Sequence, residues 1–187
     1  MKLARITLVA LTAAFAAGAF SAPSIAENTK MVGGAAMYPS KNIIQNAMNS
    51  KDHTTLVAAL KAAGLVDTLS GKGPFTVFAP TNEAFAKLPA GTVDTLLKPE
   101  NKAKLTKILT CHVVAANAMS TAINKMIKDD GGEHKVKTVG GCMLTVKNAG
   151  GKIEIMDEKG QTATVTIADV KQSNGVIHVI DTVLLPG

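Results

Sequence analysis

The side chains able to do chemistry in this chain are few and scattered. Two cysteines, Cys111 and Cys142, and four histidines, His53, His112, His134 and His178, are the soft and borderline donors a transition metal would use. A metal site would join His112 or His178 with Cys111, Cys142 and Met143, and would need both thiols free. No H-x-H, H-x-x-x-H or M-x-x-M cluster supports it. Most of Met31, Met37, Met48, Met119, Met126, Met143 and Met156 fall at the spacing of apolar faces, where a thioether fills gaps in a core. His112 and His178 have apolar neighbours and read as core histidines satisfied by hydrogen bonds.

Catalytic patterns are weaker still. Ser70, in Leu69-Ser70-Gly71, has no glycine two residues before it and so no nucleophile elbow. Asp129-Asp130 and Asp157-Glu158 are adjacent acids, but carboxylates acting across a substrate need not be sequence neighbours. Gly71-Lys72-Gly73-Pro74 lacks the spacing of a phosphate loop. No catalytic residue, cofactor site or metal site is expected, and the chain is read as a non-enzyme.

The N-terminus says where such a protein works. Met1-Lys2-Leu3-Ala4-Arg5 is basic, residues 6–20 are an uncharged apolar run, and small residues follow in Ser21-Ala22-Pro23-Ser24-Ile25-Ala26. These are the three parts of a secretory signal peptide, with the cut placed after Ala26 and an alternative after Ser21. The apolar run is shorter than the ~20 residues a spanning helix needs, so the processed chain is not expected to cross a membrane. Removing residues 1–26 takes Lys2 and Arg5 with it and lowers the net charge from +6 to +4. Arg5 is the only arginine, so every remaining cation is a lysine, and only Tyr38, Phe75, Phe78 and Phe85 remain as aromatics. Nucleic-acid readers rely on bidentate arginine and on stacking platforms, so nucleic acid is excluded as a partner. The densest basic set, Lys98, Lys102, Lys104 and Lys107, reads as the wet face of a helix. In an exported chain an even pair of cysteines predicts a Cys111–Cys142 disulfide, the alternative being two buried free thiols.

The elements that must position these residues fall into two textures. Residues 27–39 read as a flexible leader, and residues 40–187 as a single domain. Ser40 can cap a helix with Ile43, Ile44, Ala47 and Met48 on its apolar face. Residues 54–63 carry a second helical pattern that Gly64 stops. Phe75-Thr76-Val77-Phe78 alternates as a strand between Pro74 and Pro80, and Thr81 or Asn82 can cap the helix after it. Short helical patterns follow at 92–97 and from Pro99, and residues 118–127 are helical. Cys111 opens a short β-like run to Ala115. Strands are expected at 135–139, 142–146, 152–156, 162–168 and 176–183. A helical first half and a mostly antiparallel second half predict an α+β domain.

Two stretches then stand out. Gly73-Pro74-Phe75-Thr76-Val77-Phe78-Ala79-Pro80-Thr81-Asn82-Glu83-Ala84-Phe85 and Asn174-Gly175-Val176-Ile177-His178-Val179-Ile180-Asp181-Thr182-Val183-Leu184-Leu185-Pro186 resemble, in order, the two signature segments of the fasciclin-type (fasciclin / beta-Ig-H3) domain family. Between them Cys111-His112 stands where that family usually has Tyr-His. The chain is similar to exported single-domain bacterial-type members. The resemblance implies a fasciclin-like fold, a β-wedge of about seven strands packed with several helices, without a shared catalysis. Phe75, Pro80, Thr81, Asn82, Phe85, His112, Gly175 and His178 are then fold-building motif residues.

In animal adhesion members a short Asp-Ile segment before the second signature is tied to integrin binding. Ile167-Ala168-Asp169-Val170-Lys171 matches it here, with valine for isoleucine and Lys171 departing from the pattern. Asp169 and Val170 are therefore expected to rim a partner-binding surface. The combined expectation is an exported interaction module of the periplasm or cell surface, for adhesion or for binding surface or matrix protein. Its partner would be a protein, a polysaccharide or a second copy of itself. The readings left beside it are a periplasmic small-ligand or metal carrier, and an envelope or stress structural protein.

Overall fold

The computed structural model describes residues 28–187. The expected signal peptide, residues 1–26, lies outside the described residues. Six helices dominate the first half, α1 (Ile43–Ala47), α2 (Thr54–Ala63), α3 (Val66–Ser70), α4 (Asn82–Ala86), α5 (Thr92–Leu96) and α6 (Lys102–Cys111), with α7 (Ser120–Asp129) standing apart. A hairpin precedes them, β1 (Lys30–Val32) and β2 (Ala35–Met37). The main sheet is built from β3 (Phe75–Pro80), β4 (Val113–Val114), β5 (Glu133–Lys137), β6 (Met143–Ala149), β7 (Lys152–Met156), β8 (Thr162–Gln172) and β9 (Gly175–Ile180). Its strand order is β4-β3-β9-β8-β7-β6-β5. Past the end of β5, the Val139 amide donates to Val113 O of β4 at 2.7 Å, so the two edges meet and the sheet is a nearly closed wedge. The expected α+β class and seven-stranded wedge are what the chain adopts.

The two signature stretches are neighbours. β3 and β9 pair in parallel over six residues, from Phe75 opposite Gly175 to Pro80 opposite Ile180. Every other strand pair is antiparallel among the described residues. Both faces of the β3–β9 pair are buried, as expected of central strands. Val77, Ala79, Ile177 and Val179 face the helical core of α1 to α6. Phe78 and Ile180 face a second core, which Ile123 and Ile127 of α7 share with Leu144, Val146 and Ile155.

Three expectations change. Residues 30–37 of the supposed flexible leader are an ordered hairpin whose Val32 and Met37 are buried in the helical core. Its turn is Gly33-Gly34, both at positive φ, the conformation a two-residue hairpin of this hand requires. The first helix is capped by Asn42, not Ser40. Asn42 Oδ1 accepts from the Gln45 amide at 2.8 Å while Gln45 Oε1 accepts from the Asn42 amide at 3.0 Å, a reciprocal pair that a serine outside this spacing cannot make. Cys111 does not open a strand but ends α6, because the apolar spacing of Leu105, Ile108 and Leu109 runs on through it. The stop of α2 at Gly64 in the left-handed region holds, but β8 runs on past the expected 162–168 to Gln172, β9 ends at Ile180 and not at Val183, and α3 carries no sequence expectation.

Candidate functional site

Three polar side chains from adjacent strands grip the segment that leads into α7. Thr76 of β3 donates through Oγ1 to Ala116 O at 2.6 Å and accepts from the Ala118 amide at 2.8 Å. His178 of β9 donates through Nε2 to Ala118 O at 2.8 Å, and its Nδ1 accepts from the Asp169 amide at 3.3 Å. Asp169 of β8 accepts from the Ser120 amide at 2.6 Å and from Ser120 Oγ at 2.5 Å. The residue at the N-cap of α7, Met119, has no oxygen to offer, so a carboxylate from 49 residues later caps the helix. Lys30 of the hairpin donates to Ala168 O beside this cluster.

Asp169 is the only non-glycine residue at positive φ among the described residues, at 57°. It sits in the irregular stretch between Ile167 and Val170 where β8 slips register against β9. Aspartate is one of the few side chains that tolerate this conformation, and the slip turns its carboxylate toward α7. Burial pushes that carboxyl up, but the Ser120 hydroxyl and amide, together with His178 and Lys30, outweigh burial and hold it below its usual range. Burial is the main influence on His178 and lowers it, against the Ala118 carbonyl and the Asp169 charge. A neutral imidazole suits its partners, one carbonyl to receive its N–H and one amide to feed its other nitrogen.

His112, at the C-cap of α6, repeats this pattern. Its Nδ1 donates to Ile108 O at 2.9 Å and its Nε2 accepts from the Leu184 amide at 2.9 Å, tying the end of α6 to the C-terminal segment. Burial pushes it down to about 4, against the Ile108 carbonyl and the Asp157 charge. Cys111 beside it is bridged to Cys142, with Cα atoms 5.4 Å apart and both residues buried. His53 is also buried and meets Ser50 Oγ through Nδ1 at 2.8 Å. Among the described residues no three His, Cys, Asp or Glu side chains gather as a metal would need, and no helix is long and apolar enough to cross a membrane.

The other motif residues are structural in detail. Thr81 caps α4, its Oγ1 accepting from the Ala84 amide at 3.2 Å. Asn82 does not cap its own helix. Its Oδ1 accepts from the Thr55 amide at 3.0 Å and its Nδ2 donates to Lys51 O at 2.9 Å, locking α4 to the start of α2. Pro80 and Phe85 are buried and Phe75 is half-buried. A Cβ on Gly175 would stand 1.9 Å from Phe75 O, so only glycine allows β9 to lie against β3 there. The expectation that Val170 rims a surface is corrected: it is 1% exposed, inside the helical core. Asp169 is half-buried with its carboxylate engaged by Ser120, so it acts first on α7. Sequence reasoning missed Thr76, Ser120 and Lys30. A threonine between Phe75 and Val77 in a strand buried on both faces is the one signal that an internal partner was needed.

The chain is similar to known proteins. Residues 51–186 match the model of the Fasciclin domain family. The chain is 46% identical over 187 residues to Protein sll1483 of Synechocystis sp., covering 98% of this chain and 97% of that one. It is 37% identical over 166 residues to the cell surface glycolipoprotein MPB83 of Mycobacterium bovis, covering 86% of this chain and 68% of that one. A solved FAS1 domain pair from the insect cell adhesion molecule fasciclin I superposes with a TM-score of 0.70 at 20% identity, over 79% of this chain and 52% of that one. That last likeness is one of fold.

Proposed function

This chain belongs to the fasciclin domain family, and we propose from that premise that it is an exported, non-enzymatic interaction module. It mediates adhesion by binding protein or polysaccharide at the cell surface or in the matrix. The observation that carries the reading is the match over residues 51–186, which spans both signature strands and the α7 clamp between them. One relative is named a cell surface glycolipoprotein, and the protein of like fold a cell adhesion molecule. The N-terminal export pattern agrees with such a location. The polar groups of the signature strands support a binding role over a chemical one. Thr76, His178 and Asp169 are each committed to a backbone group of the fold, so none is free to act as nucleophile or base.

The test is adherence of a deletion strain, to surfaces and to sister cells, with and without the wild-type chain restored. Loss on deletion and recovery on restoration supports the reading. Unchanged adherence on deletion overturns it.

A further inference from the structure

A polar cleft of about 530 Å³ opens where the two signature strands begin. That volume lies within the range of sites that hold ligands of several rings. Its floor is built by Asn174. The Oδ1 of Asn174 accepts from the Ile43 amide at 3.0 Å, and its Nδ2 donates to Leu69 O at 2.8 Å and to Gly71 O at 2.9 Å. One side chain thus fixes the entry to α1, the end of α3 and the β8–β9 turn relative to one another. Gly73 packs so closely here that a Cβ would come within 2.0 Å of Asn174 O.

The walls differ from the floor. Asn42 and Gln45 use their side-chain oxygens in the capping box, while the side-chain nitrogens, Asn42 Nδ2 and Gln45 Nε2, make no hydrogen bond among the described residues. The Asn117 amide, the hydroxyls of Ser70 and Ser173 and the Lys72 ammonium also line the cleft and are unengaged among the described residues. No aspartate or glutamate and no aromatic side chain lines it. The cleft therefore offers spare donors and one ammonium group.

A ligand matched to that surface brings many acceptors and at least one negative charge. A protein partner would want large apolar or aromatic anchors seated in a dry pocket, and Pro74 is the one sizeable apolar residue in this lining. A neutral glucan would leave Lys72 unpaired and would find no aromatic face to stack on. A chain of acidic sugars has both requirements, ring and hydroxyl oxygens along its length and a carboxylate on the uronate unit.

We propose that this cleft binds an anionic, uronate-bearing polysaccharide, with Lys72 pairing a sugar carboxylate and Asn42, Gln45 and Asn117 donating to sugar oxygens. The proposal rests on the adhesion reading above and names the class of partner for it.

Calorimetry of the exported protein against polygalacturonate, with dextran as the neutral polymer, tests it. Binding to polygalacturonate should weaken roughly tenfold in Lys72→Glu, the loss of one charge-assisted contact. Lys152→Glu, the same charge change at the start of β7 outside the cleft, should bind as the wild type does. Absence of wild-type binding overturns the proposal, as does equal weakening by both variants, which would mean diffuse charge attraction. Dextran binding as tightly as polygalacturonate also overturns it. The two readings fail separately: a Lys72→Glu chain that restores full adherence to the deletion strain removes the cleft while adhesion stands, whereas unchanged adherence on deletion removes adhesion and leaves the calorimetry to stand by itself.

Discussion

Mild acid should destabilise this protein by a route that runs through His112. Its imidazole is held between the Ile108 carbonyl and the Leu184 amide, and burial lowers it from 6.5 to about 4. In the unfolded chain the ring protonates near its ordinary value, so between pH 6.5 and 4 the unfolded state binds the extra proton. The stability that His112 contributes is therefore complete above pH 6.5, falls as pH drops through the window, and is gone below about pH 4. Linkage across the window gives a loss of about 2 kcal/mol on going from pH 7 to pH 5, and about 3 kcal/mol in the acid limit. Against a typical domain stability of ~5–15 kcal/mol this is a large fraction. His178 and His53 are lowered by burial as well and act in the same direction. Asp169 and Glu158 are also lowered, but a carboxylate's share is lost only below its ordinary range, so measurements from pH 7 to pH 5 isolate the histidines. The assay is urea unfolding at pH 7, 6 and 5 for wild type and His112→Gln, whose amide supplies one donor and one acceptor but does not titrate. The variant should be less stable at pH 7 and lose about 2 kcal/mol less than wild type by pH 5. A wild-type midpoint that stays constant from pH 7 to 5, or a His112 ring seen by NMR to titrate near 6.5 in the folded protein, would refute the reasoning.

Three further outcomes follow from the same geometry. Asp169→Ala removes the cap of α7 and leaves the Ser120 amide without its partner, so stability should fall by about 1–2 kcal/mol and amide exchange should quicken in the first turn of α7; unchanged exchange there would dismiss the remote cap. Reducing the Cys111–Cys142 bridge opens a loop spanning 31 positions and should cost about 3–4 kcal/mol, read by urea midpoints with and without reductant, while two alkylatable thiols in the oxidised native protein would disprove the bridge. Gly175→Ala should prevent folding, since its Cβ would overlap Phe75 O, whereas Gly150→Ala meets no atom within 4 Å and should cost only the roughly 1 kcal/mol of its left-handed backbone; similar soluble yields for the two would count against the tight β3–β9 approach.

Much of this architecture was legible because local signals happened to agree with the tertiary outcome. Alternation between two prolines marked Phe75–Pro80, Gly64 marked the end of α2, and the sparse turn residues of the second half marked its hairpins. What escaped was non-local. Nothing in either signature stretch announces that they lie side by side, because a parallel pair a hundred residues apart leaves no local trace beyond two apolar faces. The hairpin at 30–37 was hidden by its small residues, Gly33, Gly34, Ala35 and Ala36, whose low apolar content resembles a loose leader; only Val32 and Met37 anchor it. Val170 stands beside Asp169 in the chain, but successive strand residues face opposite ways, so Asp169 turns to α7 while Val170 enters the helical core.

The placement of Asp169 separates what signature residues can say from what they cannot. An aspartate at positive φ invites a functional explanation, since such conformations gather at sites. Here the conformation has a local structural use: it brings the carboxylate to Ser120 and lets the Asp169 amide reach His178, whose other nitrogen holds Ala118. Thr76 completes the grip from the paired signature strand. The most recognisable polar residues thus fasten α7 against the second core, which explains why they fit the family pattern without naming a ligand. The proposed recognition would then draw on side chains that the fold leaves unengaged. The donor-rich walls around Lys72 are such a set, and they stand on a floor that Asn174 of the second signature holds in place. On this argument the signature segments act on binding indirectly, by fixing the geometry of the loops that carry it. Substitutions at Asn174 should therefore lower stability and binding together, while Lys72→Glu should lower binding alone.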